Sequence, residues 1–205
     1  MPLASKLFAG SVFPQFGAQS FTGKVDTDLA TAISSAIVTH LKTPNIVSCT
    51  LNGVVGPIGS ITSIGPVIGV IPVTMAGFMN SKAASKRIIG KNALQLFSAV
   101  SNGLTPMLTS LILTGKAAGI ATGGGIGSFS MLNEKALSGL IFAQFLKKQI
   151  KGKNAKDLAE CISFGVVKQL KIAKIPVICT GAVAPVPPVG PSPAVNIKSI
   201  LTTLK

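Results

Sequence analysis

Four apolar residues, Leu29, Ile33, Ile37 and Leu41, stand at every fourth position between Asp26 and Lys42. That spacing keeps them on one stripe of a helix and predicts a buried face. Asp26 and Asp28 near its start and Lys42 at its end complement the helix dipole, and Pro44 stops the helix. From Ile46 to Leu51 the pattern becomes a short β-branched run, which predicts a strand. The Gly- and Pro-rich residues that follow cannot extend as a regular helix and predict a loop. Farther on, Leu137, Leu140, Ile141, Phe145 and Ile150 lie near one face of a helix expected over Asn133–Lys151. Lys147, Lys148 and Lys151 sit at its C-terminal end, where cations are favoured. A shorter basic helix is expected over Ser81–Ile89. A last one is expected over about Ala194–Leu204, carrying Val195, Ile197, Ile200, Leu201 and Leu204.

The first pattern returns later in the chain. DLATAISSAIVTHLK from Asp28 aligns with DLAECISFGVVKQLK from Asp157 at a constant offset of 129 residues. Leu29, Ala30, Ile33, Ser34, Val38, Leu41 and Lys42 then meet Leu158, Ala159, Ile162, Ser163, Val167, Leu170 and Lys171. Each segment leads into an apolar run closed by a Pro/Gly loop, NIVSCTLNGVVGPIGS from Asn45 and KIPVICTGAVAPVPPVGPS from Lys174. Half the offset places a middle copy near residue 93, where KNALQLFSAVSNGL begins at Lys91 and leads to LTSLILTGKAAGIATGGGIGS. Gly23-Lys24, Gly90-Lys91 and Gly152-Lys153 precede the three helices. Ile58-Gly59-Ser60, Ile126-Gly127-Ser128 and Val189-Gly190 close the three loops. The expected fold is therefore α+β and α-rich, with three tandem diverged repeats of about 65 residues. Each repeat comprises helix, short strand, Gly/Pro-rich loop and helix, and the three stack or surround a pseudo-three-fold axis. The expected boundaries are an N-terminal arm at 1–23, repeats at 24–90 and 91–151, a truncated repeat at 152–192, and a C-terminal helix at 193–205.

Composition adds a surface argument. Hydrophobic residues make up 47% of the chain and charged residues only 12%, about half the usual charged share. So few charges cover a free monomer poorly, so much of the surface is expected to pack against other subunits or to meet lipid. Lys and Arg number 19 against 5 Asp and Glu, a formal charge of +14 that attracts polyanions or acidic partner surfaces. The cations form short clusters: Lys82, Lys86, Arg87 and Lys91; Lys147, Lys148, Lys151 and Lys153; and Lys168, Lys171 and Lys174. All ten aromatics are Phe, and they do not alternate with the cations as base-stacking surfaces require. Acidic protein neighbours are therefore expected ahead of nucleic acid. Cys49, Cys161 and Cys179 form no CxxC pair and are expected to be reduced, buried thiols, as suits a reducing cytosol. The opening MPLASKLFAGSVFPQF lacks a continuous apolar core and makes a poor signal peptide.

Catalytic patterns are lacking in the sequence. His40 is the only histidine and reads as a polar-face or core residue of the first helix, with no G-x-S-x-G elbow to serve. Asp26, Asp28, Glu134, Asp157 and Glu160 lie largely near expected helix starts, where capping and dipole effects account for them. Gly115-Lys116, Gly90-Lys91 and Gly152-Lys153 are followed by Ala or Asn, so none supplies the Ser or Thr of a phosphate loop. Gly123-Gly124-Gly125 is expected as a sharp bend or a point of close backbone approach. Neither a cofactor nor a metal site is expected, and the chain is not expected to be an enzyme.

A membrane-active or pore-forming protein is the alternative from a different class. Thr43–Ser81 holds no charged residue, and mean hydropathy is +0.60. Against it, Pro44, Pro57, Pro66 and Pro72 interrupt any 20-residue helix, and Trp and Tyr anchors are absent. A third alternative is a basic nucleic-acid-associated protein.

The units DLATAISSAIVTHLK…GPIGS and DLAECISFGVVKQLK…PVPPVGPS, spanning about Lys24 to Ser192, resemble in style the small structural proteins of tailed-bacteriophage virions, particularly contractile tails and baseplates. The resemblance implies a non-enzymatic virion protein, assembled in the host cytoplasm and touching tube, hub or sheath-like partners. A head location, with the basic surface toward packaged DNA, is the variant of that reading. Candidate interface residues are Pro57, Ile58 and Gly59, Gly125, Ile126 and Gly127, Val189 and Gly190 in the loops, and Lys147, Lys148 and Lys151 at the basic helix end. The expected partners are other virion proteins with acidic surfaces, further copies of the chain, or both.

Overall fold

The expected stripe on the first helix is buried: Ile33 and Ile37 are fully enclosed and Leu41 nearly so. The computed structural model describes residues 9–10, 14, 24–43, 49–53, 59–63, 67–119, 122–180 and 195–199. Their elements run in the order α1 (Lys24–Lys42), β1 (Cys49–Gly53), β2 (Gly59–Ser63), α2 (Pro72–Ala84), α3 (Lys91–Thr109), β3 (Ile112–Gly119), β4 (Thr122–Ser130), α4 (Glu134–Lys147), α5 (Lys153–Ile172), β5 (Ile175–Thr180) and β6 (Val195–Ser199). The fold is α+β. Each helix packs on the next in sequence, α1 on α2 through to α4 on α5.

All strand pairs are antiparallel, in the order β5-β4-β3-β2-β1-β6. The edge strands β5 and β6 also come within 8 Å of each other between Cα atoms, so the sheet curls towards a small barrel. Its helix-proximal end closes the core, where Leu113 faces Phe129 across β3 and β4 and Ile175 begins β5, all three buried. At the next pair on the same face, Gly115 meets Gly127. A Cβ on Gly115 would stand 2.7 Å from the Cα of Gly127 and closer still to the Ile126 carbonyl oxygen. Only glycine permits that approach.

Burial recurs at fixed spacings. Ala30, Ile33, Ser34, Ile37, His40 and Leu41 on α1 are matched 129 residues later by Ala159, Ile162, Ser163, Val166, Gln169 and Leu170 on α5, all buried. Phe97, Val100, Ser101, Leu104, Met107 and Leu108 on α3 take the intermediate places, also buried. Met75, Met79 and Ala83 on α2 correspond in the same way to Leu137, Ile141 and Phe145 on α4.

The two helix–helix turns share one hydrogen-bond pattern. Ile88 N–H donates to Ala83 O and Arg87 N–H to Ala84 O, both at 2.9 Å. Ile150 N–H donates to Phe145 O at 2.9 Å and Gln149 N–H to Leu146 O at 3.0 Å. These are Schellman closures with Arg87 (φ 61°) and Gln149 (φ 58°) in the left-handed position usually held by glycine. Gly90 and Gly152 then cap α3 and α5 with the same φ of 132°.

Several expected elements differ. Ser81–Ile89 is not a separate helix: its first residues are the last turn of α2, which starts at Pro72 because proline fits the first helical position. The helix expected over Asn133–Lys151 ends at Lys147, since the left-handed Gln149 terminates it. Asn133 instead caps it, its Oδ1 accepting the Ala136 N–H at 3.0 Å. The Gly-rich loop expected near Gly123–Gly127 lies within strand β4, where Gly127 lets the strand pass close to Gly115 and Leu113. Val195–Ser199, expected in a C-terminal helix, is strand β6 paired with β1. Its Val195-x-Ile197 alternation fits a strand's period of two. The first strand runs from Cys49 to Gly53 instead of Ile46 to Leu51, and residues 44–48 lie outside the described residues.

Candidate interface

The Schellman turn after α4 puts Lys148 at the helix end and turns Gln149, Ile150 and Lys151 back towards α3. Lys147, Lys148, Gln149 and Lys151 are exposed, and Ile150 is half-buried against the core. Gln95, Lys147, Lys148 and Gln149 line a recess of about 430 Å³. Gln95 and Gln149 continue into a second one of about 340 Å³, with Asn92, Leu96, Ile150, Lys151 and Leu158 on its walls. The two ion pairs among the described residues are Lys86 to Asp28 at 3.2 Å and Lys156 to Glu160 at 3.8 Å. Neither engages Lys147, Lys148 or Lys151, so this corner keeps its positive charge.

The other expected interface residues lie elsewhere. Gly59 begins β2 and pairs with Ala117 of β3, and Gly125, Ile126 and Gly127 lie in β4. Ile126 is 61% exposed, but Gly127 is buried, and a Cβ there would lie 2.8 Å from Leu113 Cδ1. Gly127 therefore belongs to the packing of the sheet, not to an exposed loop. Pro57, Ile58, Val189 and Gly190 lie outside the described residues. Helix α4 separates the strand group from the lysine group by about 20 Å, at 1.5 Å per residue. The structure therefore does not gather the two sets into one site.

An apolar groove lies apart from all of these residues. Pro72, Val73, Ala76, Gly77, Asn80, Leu94, Ser98 and Asn102 enclose about 320 Å³ between α2 and α3. Val73 is 79% and Leu94 55% exposed. Periodicity could not reveal this, because an apolar residue outside a helix's buried stripe has the same letters as one inside it.

The groups with most chemical potential are enclosed. His40 is fully buried, its pKa lowered by burial, and its Nε2 accepts the Ile71 N–H at 3.2 Å. Cys161 is a free buried thiol pushed up to about 11, by burial first and then by the Asp157 and Glu160 carboxylates. A thiol so protonated is a poor nucleophile. Cys49 and Cys179 lie in β1 and β5. Among the described residues no three His, Cys, Asp or Glu side chains stand close enough to share a metal ion. The described parts of the uncharged Thr43–Ser81 stretch contain β1, β2 and most of α2, and no described helix is long and apolar enough to cross a membrane. No protein-family model, curated protein or solved structure matches the chain.

Proposed function

We propose that this chain is a non-enzymatic structural subunit of a large symmetric assembly, a tailed-phage virion protein of the tail or baseplate, made in the host cytoplasm. The observation that carries the reading is the set of large apolar side chains left facing water. Val73, Ile89 and Met131 are more than 70% exposed, and Ile126, Ile68 and Leu94 more than half. With only 12% of residues charged, such a surface suits burial against neighbouring subunits. The virion assignment rests on the sequence resemblance alone.

Three repeated units supply an internal symmetry compatible with such a role. The matched burial on α1, α3 and α5, the paired Schellman turns and the hairpins β1–β2 and β3–β4 support units of helix and β-hairpin around one shared sheet. Stacked or ring-like neighbours would meet similar faces of one chain.

The test is light scattering after size exclusion in detergent-free buffer, at low and high salt. A discrete multiple of 20.8 kDa that survives high salt is the expected result. A monomer at both salts, or material soluble only in detergent, would overturn the reading. Ile126→Lys should lower the multiple without lowering the melting temperature.

A further inference from the structure

The Lys86–Asp28 ion pair has an incomplete counterpart. Asp28 lies near the start of α1, and Gln95 holds the corresponding place on α3, by the spacing that relates Ala30 to Phe97. Lys86 follows α2 as Lys148 follows α4, by the spacing that relates Ala83 to Phe145. At the first corner Lys86 Nζ stands 3.2 Å from the Asp28 carboxylate. At the second the acid is replaced by an amide, Lys148 has no ion pair among the described residues, and a recess of about 430 Å³ opens beside it.

We propose that this recess is the docking site for an acidic segment of a partner protein, an inference that rests on the assembly reading and names one of its surfaces. A carboxylate from the partner takes the place that Asp28 fills at the other corner, between Lys148 and Lys147. Lys151 stands at the next recess for a second acid. The neighbouring walls of Leu96, Ile150 and Leu158 receive an aliphatic side chain beside the acids. That mixture of cationic rim and aliphatic wall fits an acidic, leucine-bearing peptide better than a nucleic acid, because among the described residues no aromatic side chain lines either recess to stack a base. A second copy of this chain is a poor occupant of this recess, since the chain has only 5 Asp and Glu to offer it.

The probe is a fluorescein-labelled Glu-Glu-Leu-Glu-Glu-Leu peptide, followed by anisotropy on the full chain. Its Gln-Gln-Leu-Gln-Gln-Leu analogue and a 20-nucleotide oligothymidylate are the comparisons. The acidic peptide should bind in a salt-sensitive way, and the glutamine peptide should not. Gln95→Asp supplies the missing acid from within and should weaken peptide binding about tenfold, as should Lys147→Glu combined with Lys148→Glu. Circular dichroism verifies that each variant is folded. Peptide binding unaffected by Gln95→Asp and by the lysine reversals, or no peptide binding at all, overturns the site. Oligothymidylate binding that alone responds to these variants also overturns it, in favour of nucleic acid. The mass of the wild-type assembly is measured separately, so a failed docking site with an intact multimer leaves the assembly reading standing.

Discussion

The backbone N–H of Ile71 donates to Nε2 of His40 at 3.2 Å, tying the start of α2 to the last turn of α1. An accepting Nε2 places the ring proton on Nδ1, which has no partner among the described residues. Protonating the buried ring would set a second N–H against the Ile71 donor.

That geometry fixes the direction of a pH effect. Burial lowers the His40 pKa from 6.5, so as pH falls below 6.5 the unfolded chain takes up a proton that the native state refuses. Stability is therefore complete above 6.5 and declines as pH drops towards the native-state value, by at most about 1.4 kcal/mol per pH unit. Urea unfolding at successive pH values checks this, His40 being the only histidine. His40→Gln, which copies the buried Gln169 at the matching position of α5, should flatten the dependence between about pH 5 and pH 7.

Two glycines on adjacent helices should respond in opposite directions to alanine. A Cβ on Gly103 of α3 would lie 2.6 Å from Ile141 Cα and 3.0 Å from its backbone nitrogen. Backbone cannot swing aside, so Gly103→Ala should cost about 1–3 kcal/mol. Gly139 on α4 is exposed with nothing within 4 Å of a built Cβ, and Gly139→Ala should gain up to about 1 kcal/mol of helix propensity. Thermal melts of the two variants separate the cases, and a stabilised Gly103→Ala would refute the close α3–α4 crossing.

The glycines of β4 divide fold from surface. Gly127→Val would drive a branched side chain into Leu113, whose Cδ1 and Cγ lie 2.8 and 2.9 Å from the added Cβ. Unfolding at lower temperature is the expected result, with any loss of assembly following from it. His40→Ala should also destabilise, since it frees the Ile71 amide and leaves a cavity.

Some of this was legible in the letters and some was not. The α1 stripe was plain because Leu29, Ile33, Ile37 and Leu41 combine periodicity with clear end signals. The helix after Asn133 was legible from the same kind of stripe, Leu137, Ile141 and Phe145, although Asn133 itself proved to be its cap and not its first residue. The sheet was largely hidden: its β3–β4 ladder is built from Gly115, Gly123, Gly125 and Gly127, residues that read as loop unless a second backbone is known to lie against them. The helix in Pro72–Ala84 was obscured by its proline and low charge, although proline belongs at a helix start. Of the expected interface, Lys147 and Lys148 do stand at a helix end while Lys151 lies beyond the turn, and the recess beside them depends on Gln95, which only the folded chain brings there.

The same turn offers a last test. Arg87 and Gln149 hold φ of 61° and 58° to close their Schellman motifs. A side chain in that left-handed conformation costs roughly 1–2 kcal/mol, which glycine avoids. Glycine also gives up more freedom on folding, which offsets part of the gain. Arg87→Gly and Gln149→Gly should each raise stability by about 0.5–1 kcal/mol, and the increments should add, because the two turns close different helix pairs. Chemical denaturation of the single and double variants measures both quantities. A loss of stability at either position would mean that its side chain makes a contact worth more than the strain it carries, and would break the equivalence of the two turns.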